Sequence, residues 1–147
     1  MENIVNAYEY VIDNGLSLEH NYPYSGKIKY CKKHHEPFYH IGDYHVIPEN
    51  NEEELMYLLS NHPILVNIQA SMPEFRFYKS GIIRANQYPN CGENLDHSVL
   101  LVGYGEENGV KYWIMKNSWG ENWGEDGYFR FERGVNTDKG GTCGILR

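Results

Sequence analysis

Apolar residues recur at helical spacing at the start of the chain, where Ile4, Val5, Tyr8, Val11 and Ile12 share one face and Asn14-Gly15 supplies a stop. From Leu16 to Pro48 no period is sustained. This stretch is rich in Tyr, His, Lys, Gly and Pro, with Tyr22-Pro23-Tyr24-Ser25-Gly26 as turn material, and reads as a long irregular connection. A second helix is predicted after Asn50 or Asn51, either of which can cap it. Glu52, Glu53 and Glu54 suit its positive N-terminal end, Leu55, Met56, Leu58 and Leu59 give it a buried face, and His62-Pro63 ends it.

The period then becomes that of strands. Strands are expected over Ile64–Ala70, Ser98–Tyr104, Lys111–Lys116 and Tyr128–Glu132, with a short helical turn from Ser71-Met72-Pro73 through Phe77. Glu106–Gly109 reads as the polar turn that makes a hairpin of the second and third strands. Helices followed by antiparallel strands predict an α+β chain whose second half is a sheet or small barrel.

Composition narrows the function. The chain has 147 residues, 13 Lys+Arg against 20 Asp+Glu, and a formal net charge of −7 with neutral histidines. That sign argues against nucleic acid or an anionic membrane as partner, both of which select for Lys/Arg excess. Glu2, Glu9 and Asp13 inside the first amphipathic pattern do not fit a secretion signal. The 7 histidines would cancel the charge of −7 if all were protonated, which is compatible with an acidic compartment. Cys31, His34, His35, His40 and His45 match no compact zinc pattern, and Lys32 and Lys33 add repulsion, so no metal is expected.

The strand assignment brings two chemically apt residues together. His97 opens one strand of the predicted hairpin and Asn117 follows the end of the other, so antiparallel pairing makes them neighbours. A histidine oriented by an amide oxygen is the base half of a nucleophilic site. The segment Leu95-Asp96-His97-Ser98-Val99-Leu100-Leu101-Val102-Gly103-Tyr104-Gly105 resembles the histidine segment of papain-like cysteine proteases. The stretch from Tyr112 to Tyr128, with Lys116-Asn117-Ser118-Trp119-Gly120 at its centre, resembles the asparagine segment of the same family, and Asn21-Tyr22-Pro23-Tyr24 and Cys143-Gly144-Ile145 match further landmarks.

The resemblance implies a papain-like fold, mainly its C-terminal antiparallel β-sheet or barrel domain over residues 45–147, with residues 1–44 a remnant of the helical first domain and its connection. It implies His97 as general base and acid, Asn117 as its orienter, and Trp119 as the indole that shields their hydrogen bond. Asn67, Leu95 and Asp96 would line a substrate pocket, and Cys91 and Cys143 would form a disulfide. Peptide or protein substrates, no cofactor, and lysosomal, vacuolar or secreted placement are implied as well. The family's nucleophile segment, of the form Cys-Gly-Ser-Cys-Trp, lies about 130–150 residues before its His and Asn. Only 96 residues precede His97 and none of them forms that segment. Cys31, flanked by Lys29-Tyr30 and Lys32-Lys33, corresponds instead to a cysteine bonded to the first domain. The expectation is therefore a truncated or processed peptidase, inactive alone, whose exposed faces await the missing domain or a partner chain. The alternative is a non-catalytic papain-like protein that serves as a binding or structural component.

Overall fold

A computed structural model describes residues 4–31, 37–135 and 137–147. The chain falls into two compact units, Glu2–Val46 and Ile47–Arg147. In the first, helix α1 spans Ile4–Asn14 and ends before Gly15 at φ 71°. Ile4, Val5, Tyr8, Val11 and Ile12 are all half-buried, whereas Asn6, Ala7, Glu9, Tyr10 and Asp13 are exposed, so the apolar face forms where the spacing predicts it. Among its described residues the connection that follows is irregular, with an isolated antiparallel bridge between Leu16 and Tyr39. Cys31 is exposed with a free thiol. Lys32, Lys33, His34 and His35 lie outside the described residues, and no group of three or more metal-ligating side chains occurs among the residues described.

The second unit is a five-stranded sheet with short helices. Helix α2, Glu52–Leu59, is capped by Asn51, whose Oδ1 accepts the Glu54 N–H at 3.1 Å while its Nδ2 donates to Glu54 Oε2 at 2.6 Å. Helix α3 covers Pro73–Arg76. Strands β1 (Ile64–Ile68), β2 (Ile82–Ile83), β3 (His97–Glu107), β4 (Val110–Lys116) and β5 (Tyr128–Glu132) stand in the order β1-β3-β4-β5-β2. All pairs are antiparallel except β2 with β5.

Several boundaries differ from expectation. The first strand stops at Ile68 because Gln69 turns its N–H to the Cys143 carbonyl and Ala70 gives its own to Asp96. The hairpin strand extends through Glu106 and Glu107, whose charges sit on an exposed ladder. The turn is only Asn108-Gly109, both at positive φ (51° and 77°), as a two-residue hairpin of matching twist requires. The two-residue β2 was not expected at all. The acidic run of α2 also does more than complement the helix dipole, since Glu52 accepts the Gly134 N–H at 3.1 Å and faces Arg133.

Period-two alternation builds the core. Val66 and Ile68, Val99 and Leu101, Trp113 and Met115, and Phe129 and Phe131 all point to one face of the sheet and are buried. Leu55 and Leu59 of α2 and Phe75 of α3 join them. Cys91 and Cys143, both buried, are joined in a disulfide with Cα atoms 4.5 Å apart.

Candidate active site

The core-facing rows of β3 and β4 run on past the packed core and end in polar residues. On β3 the inward series is Leu101, Val99, His97; on β4 it is Trp113, Met115, Asn117. Leu100 pairs with Lys116 and Leu101 with Met115, and this register continued by one step sets Asn117 opposite Val99, next along the same face from His97. The side chains meet: His97 Nε2 lies 2.9 Å from Asn117 Oδ1. Asn117 is itself buried, and its backbone N–H donates to the Gly127 carbonyl at 2.9 Å.

The direction of the bond follows from Ser118. Its N–H donates to Asn117 Oδ1 at 2.8 Å, so this amide atom is the oxygen, and an amide oxygen only accepts. Nε2 therefore carries the proton of the His97–Asn117 bond. In neutral His97 the lone pair is then on Nδ1, the nitrogen left to act as a base. Nothing in the motif as a string of letters indicates the part played by the Ser118 backbone.

Trp119 lies over this pair, its ring centroid 5.2 Å from that of His97 and inclined at 33°. It rests edge-on against Trp123 (5.1 Å) and Phe75 (5.5 Å), and it remains 41% exposed, so one face meets the His97 ring while the rest stays wet. The indole places apolar area beside a polar contact, which strengthens that contact by lowering the local dielectric.

The loop from Cys91 to Asp96 delivers His97. Gln69 Oε1 accepts the N–H groups of Gly92, Glu93 and Asn94 at 2.9, 3.0 and 3.2 Å, and Asp96 Oδ1 accepts the Ala70 N–H at 2.7 Å. Asp96, expected at a substrate pocket, thus spends a carboxylate oxygen on the backbone. Asn67, half-buried, accepts the Ser98 hydroxyl at 2.9 Å across the β1–β3 ladder, and Leu95 is half-buried beside Gly144. Gln69 escaped the sequence reading because a single glutamine after a strand carries no periodic signal.

The sequence profile of the papain family cysteine proteases matches residues 2–147. A thiol protease of Hemerocallis sp. is 44% identical over 142 residues, covering 95% of this chain and 38% of that protein. Vignain of Ricinus communis is 42% identical over 143 residues, again covering 95% of this chain and 38% of that protein. The bromelain protease of Ananas comosus, solved with an inhibitor, superposes with a TM-score of 0.85 at 40% identity, over 95% of this chain and 64% of that one. The chain thus spans less than half the length of these two curated relatives. A histidine and an asparagine meeting at the open end of a hairpin, in a sheet that superposes on a solved cysteine protease, place this chain in the papain family of cysteine proteases.

Proposed function

We propose that this chain carries the base half of a cysteine peptidase site, with His97 as general base and acid and Asn117 as its orienter. The carrying observation is the 2.9 Å contact between His97 Nε2 and Asn117 Oδ1, which leaves Nδ1 to deal with a thiol. In the reaction, Nδ1 takes the thiol proton, the thiolate attacks the peptide carbonyl, and His97 returns the proton to the leaving amine. Water, deprotonated by the same nitrogen, then hydrolyses the thioester. Asn67, Leu95 and Asp96 are the proposed substrate-side residues, and an acidic vacuolar or extracellular setting suits the histidine-rich, acidic composition.

The thiol comes from outside the site residues of this chain. Cys91 and Cys143 are bonded to each other, and Cys31 belongs to the other compact unit, in a stretch flanked by lysines in sequence. Residues 1–44 accordingly belong to a helical first domain, and residues 45–147 form the β-rich domain. Tyr24, Ile28, Tyr30 and Phe38, between 62% and 104% exposed, are apolar surface for the rest of that first domain or a partner chain to cover.

Peptide hydrolysis tests this. The purified chain alone should give no turnover, because an imidazole without a thiolate also lacks oxyanion donors, each worth about 100–1000-fold. Joined to the nucleophile-bearing part of a papain-like relative, it should give turnover abolished by thiol alkylation and by His97→Ala. Turnover by the chain alone that survives alkylation but vanishes in His97→Ala would overturn the reading.

A further inference from the structure

The loop 118–127 carries Trp119 and presents the Ser118 N–H that fixes the Asn117 amide, so whatever holds this loop holds the site. Its own backbone closes it in part: Gly127 accepts the Asn117 N–H, Trp123 accepts that of Gly127, and Gly120 accepts that of Trp123 at 3.3 Å. One charged group ties it to the rest of the sheet. Glu125 Oε1 accepts Arg130 Nη2 at 2.7 Å and the Gly81 N–H at 2.8 Å, and Oε2 accepts Arg130 Nε at 2.9 Å. The Arg130 contacts form a two-pronged, charge-assisted fork between the loop and β5. The Gly81 contact reaches the segment after α3, where Tyr78 donates its hydroxyl to the Gly81 carbonyl at 2.7 Å.

Helix α3, immediately before that segment, supports the indoles of the loop. Trp123 Nε1 donates to the Arg76 carbonyl at 3.0 Å, and Phe75 lies edge-on to Trp119 and tilted against Trp123. The Glu125 carboxylate therefore joins three parts: the loop that carries Trp119, the strand that ends it, and the turn after α3.

We infer that Glu125, through its fork to Arg130 and its hold on Gly81, is a positioning residue that keeps the loop 118–127 closed over the His97–Asn117 pair. The inference rests on that pair being the site. Burial pushes the Glu125 carboxyl up, but the Arg130 hydrogen bonds and the Gly81 N–H outweigh it and hold its pKa below the ordinary value, so the clamp stays charged in mild acid.

The experiment is NMR of the full chain uniformly labelled with nitrogen-15, reading the exchange of the His97 Nε2 proton with water, with the Leu101 and Met115 amides as internal controls. In Glu125→Gln, and in Arg130→Lys as a second variant that keeps charge but loses the fork, the Nε2 proton should exchange about tenfold faster while the core amides keep their protection. Glu107→Gln, which removes only the outer partner of Arg130, should change it less than about twofold. Unchanged exchange in both clamp variants overturns the inference and leaves the His97–Asn117 pair standing. Core amides that loosen in step with His97 also overturn it, because the effect is then global. A wild-type Nε2 proton with no protection overturns the pair and the clamp together.

Discussion

Replacing both Cys91 and Cys143 by alanine should be among the costliest changes this chain can undergo without touching the candidate site. The cross-link joins residues 52 apart in sequence. Opening a loop of that length returns about 4 kcal/mol of chain entropy to the unfolded state on the loop-closure relation. The native side loses little, because other bonds hold both ends: Gln69 keeps its grip on Gly92, Glu93 and Asn94, and its N–H donates to the Cys143 carbonyl at 3.0 Å. Urea unfolding followed by tryptophan fluorescence should thus lose about 4 kcal/mol, a midpoint shift of about 2 M for a slope near 2 kcal/mol/M. The native spectrum should be preserved. A loss under about 1 kcal/mol would refute the reasoning, as would three labelled cysteines, rather than Cys31 alone, when the wild-type chain is denatured without reductant.

Other changes test other levels. Phe75→Leu keeps an apolar side chain but removes ring contacts with Trp119, Trp123 and Phe129 at 4.9–5.5 Å. It should cost about 1–3 kcal/mol and red-shift the emission, and calorimetry showing no fall in Tm would contradict it. Gly124 sits at φ 63°, where an added Cβ would lie 2.5 Å from the Tyr128 carbonyl oxygen. Gly124→Ala should lose at least about 2 kcal/mol in urea unfolding, and a neutral result would show that the loop can shift. Because the folded pKa of Glu125 is depressed, its stabilisation is present above the ordinary value of 4.5 and disappears as pH falls through the folded value. Glu125→Gln should therefore flatten the acid limb of Tm between pH 6 and 3, and parallel limbs would deny the linkage. The Tyr78 phenol is pushed up to about 12, first by burial and then by the neighbouring Glu125, so it should be the last tyrosine to ionise in an absorbance titration. Its ionisation at 10 would deny that burial.

The parts of the fold legible in the sequence are those written in long periods. The α1 face, the Asn51 cap and the alternation of β3, β4 and β5 repeat one instruction several times, and the meeting of His97 with Asn117 follows from antiparallel pairing alone. What stayed hidden depends on single residues acting over long separations. The two-residue β2 pairs with a strand 48 positions away (Ile82 with Arg130), Gln69 caps a loop more than 20 residues on, and Glu125 reaches Gly81 across 44 residues. No local pattern encodes such partners. The hairpin turn was misplaced for the opposite reason: Glu106 and Glu107 have loop-like composition but belong to an exposed ladder that solvates them.

The Asn108-Gly109 turn also bears on how the site comes into being during folding. Hairpins with tight turns close in about 1–10 μs, long before sheets that depend on distant pairing. His97 and Asn117 sit 20 residues apart at the two free ends of this hairpin, so zipping from the turn carries them together as its last local step. Their approach draws on pairing within the hairpin, ahead of β1 and the disulfide, while Ser118 and the loop to Gly127 fix the final contact. A polypeptide emerging from the ribosome would bring its base and its orienting amide to the same end of one hairpin, and would lock them together only once the chain through Gly127 had followed.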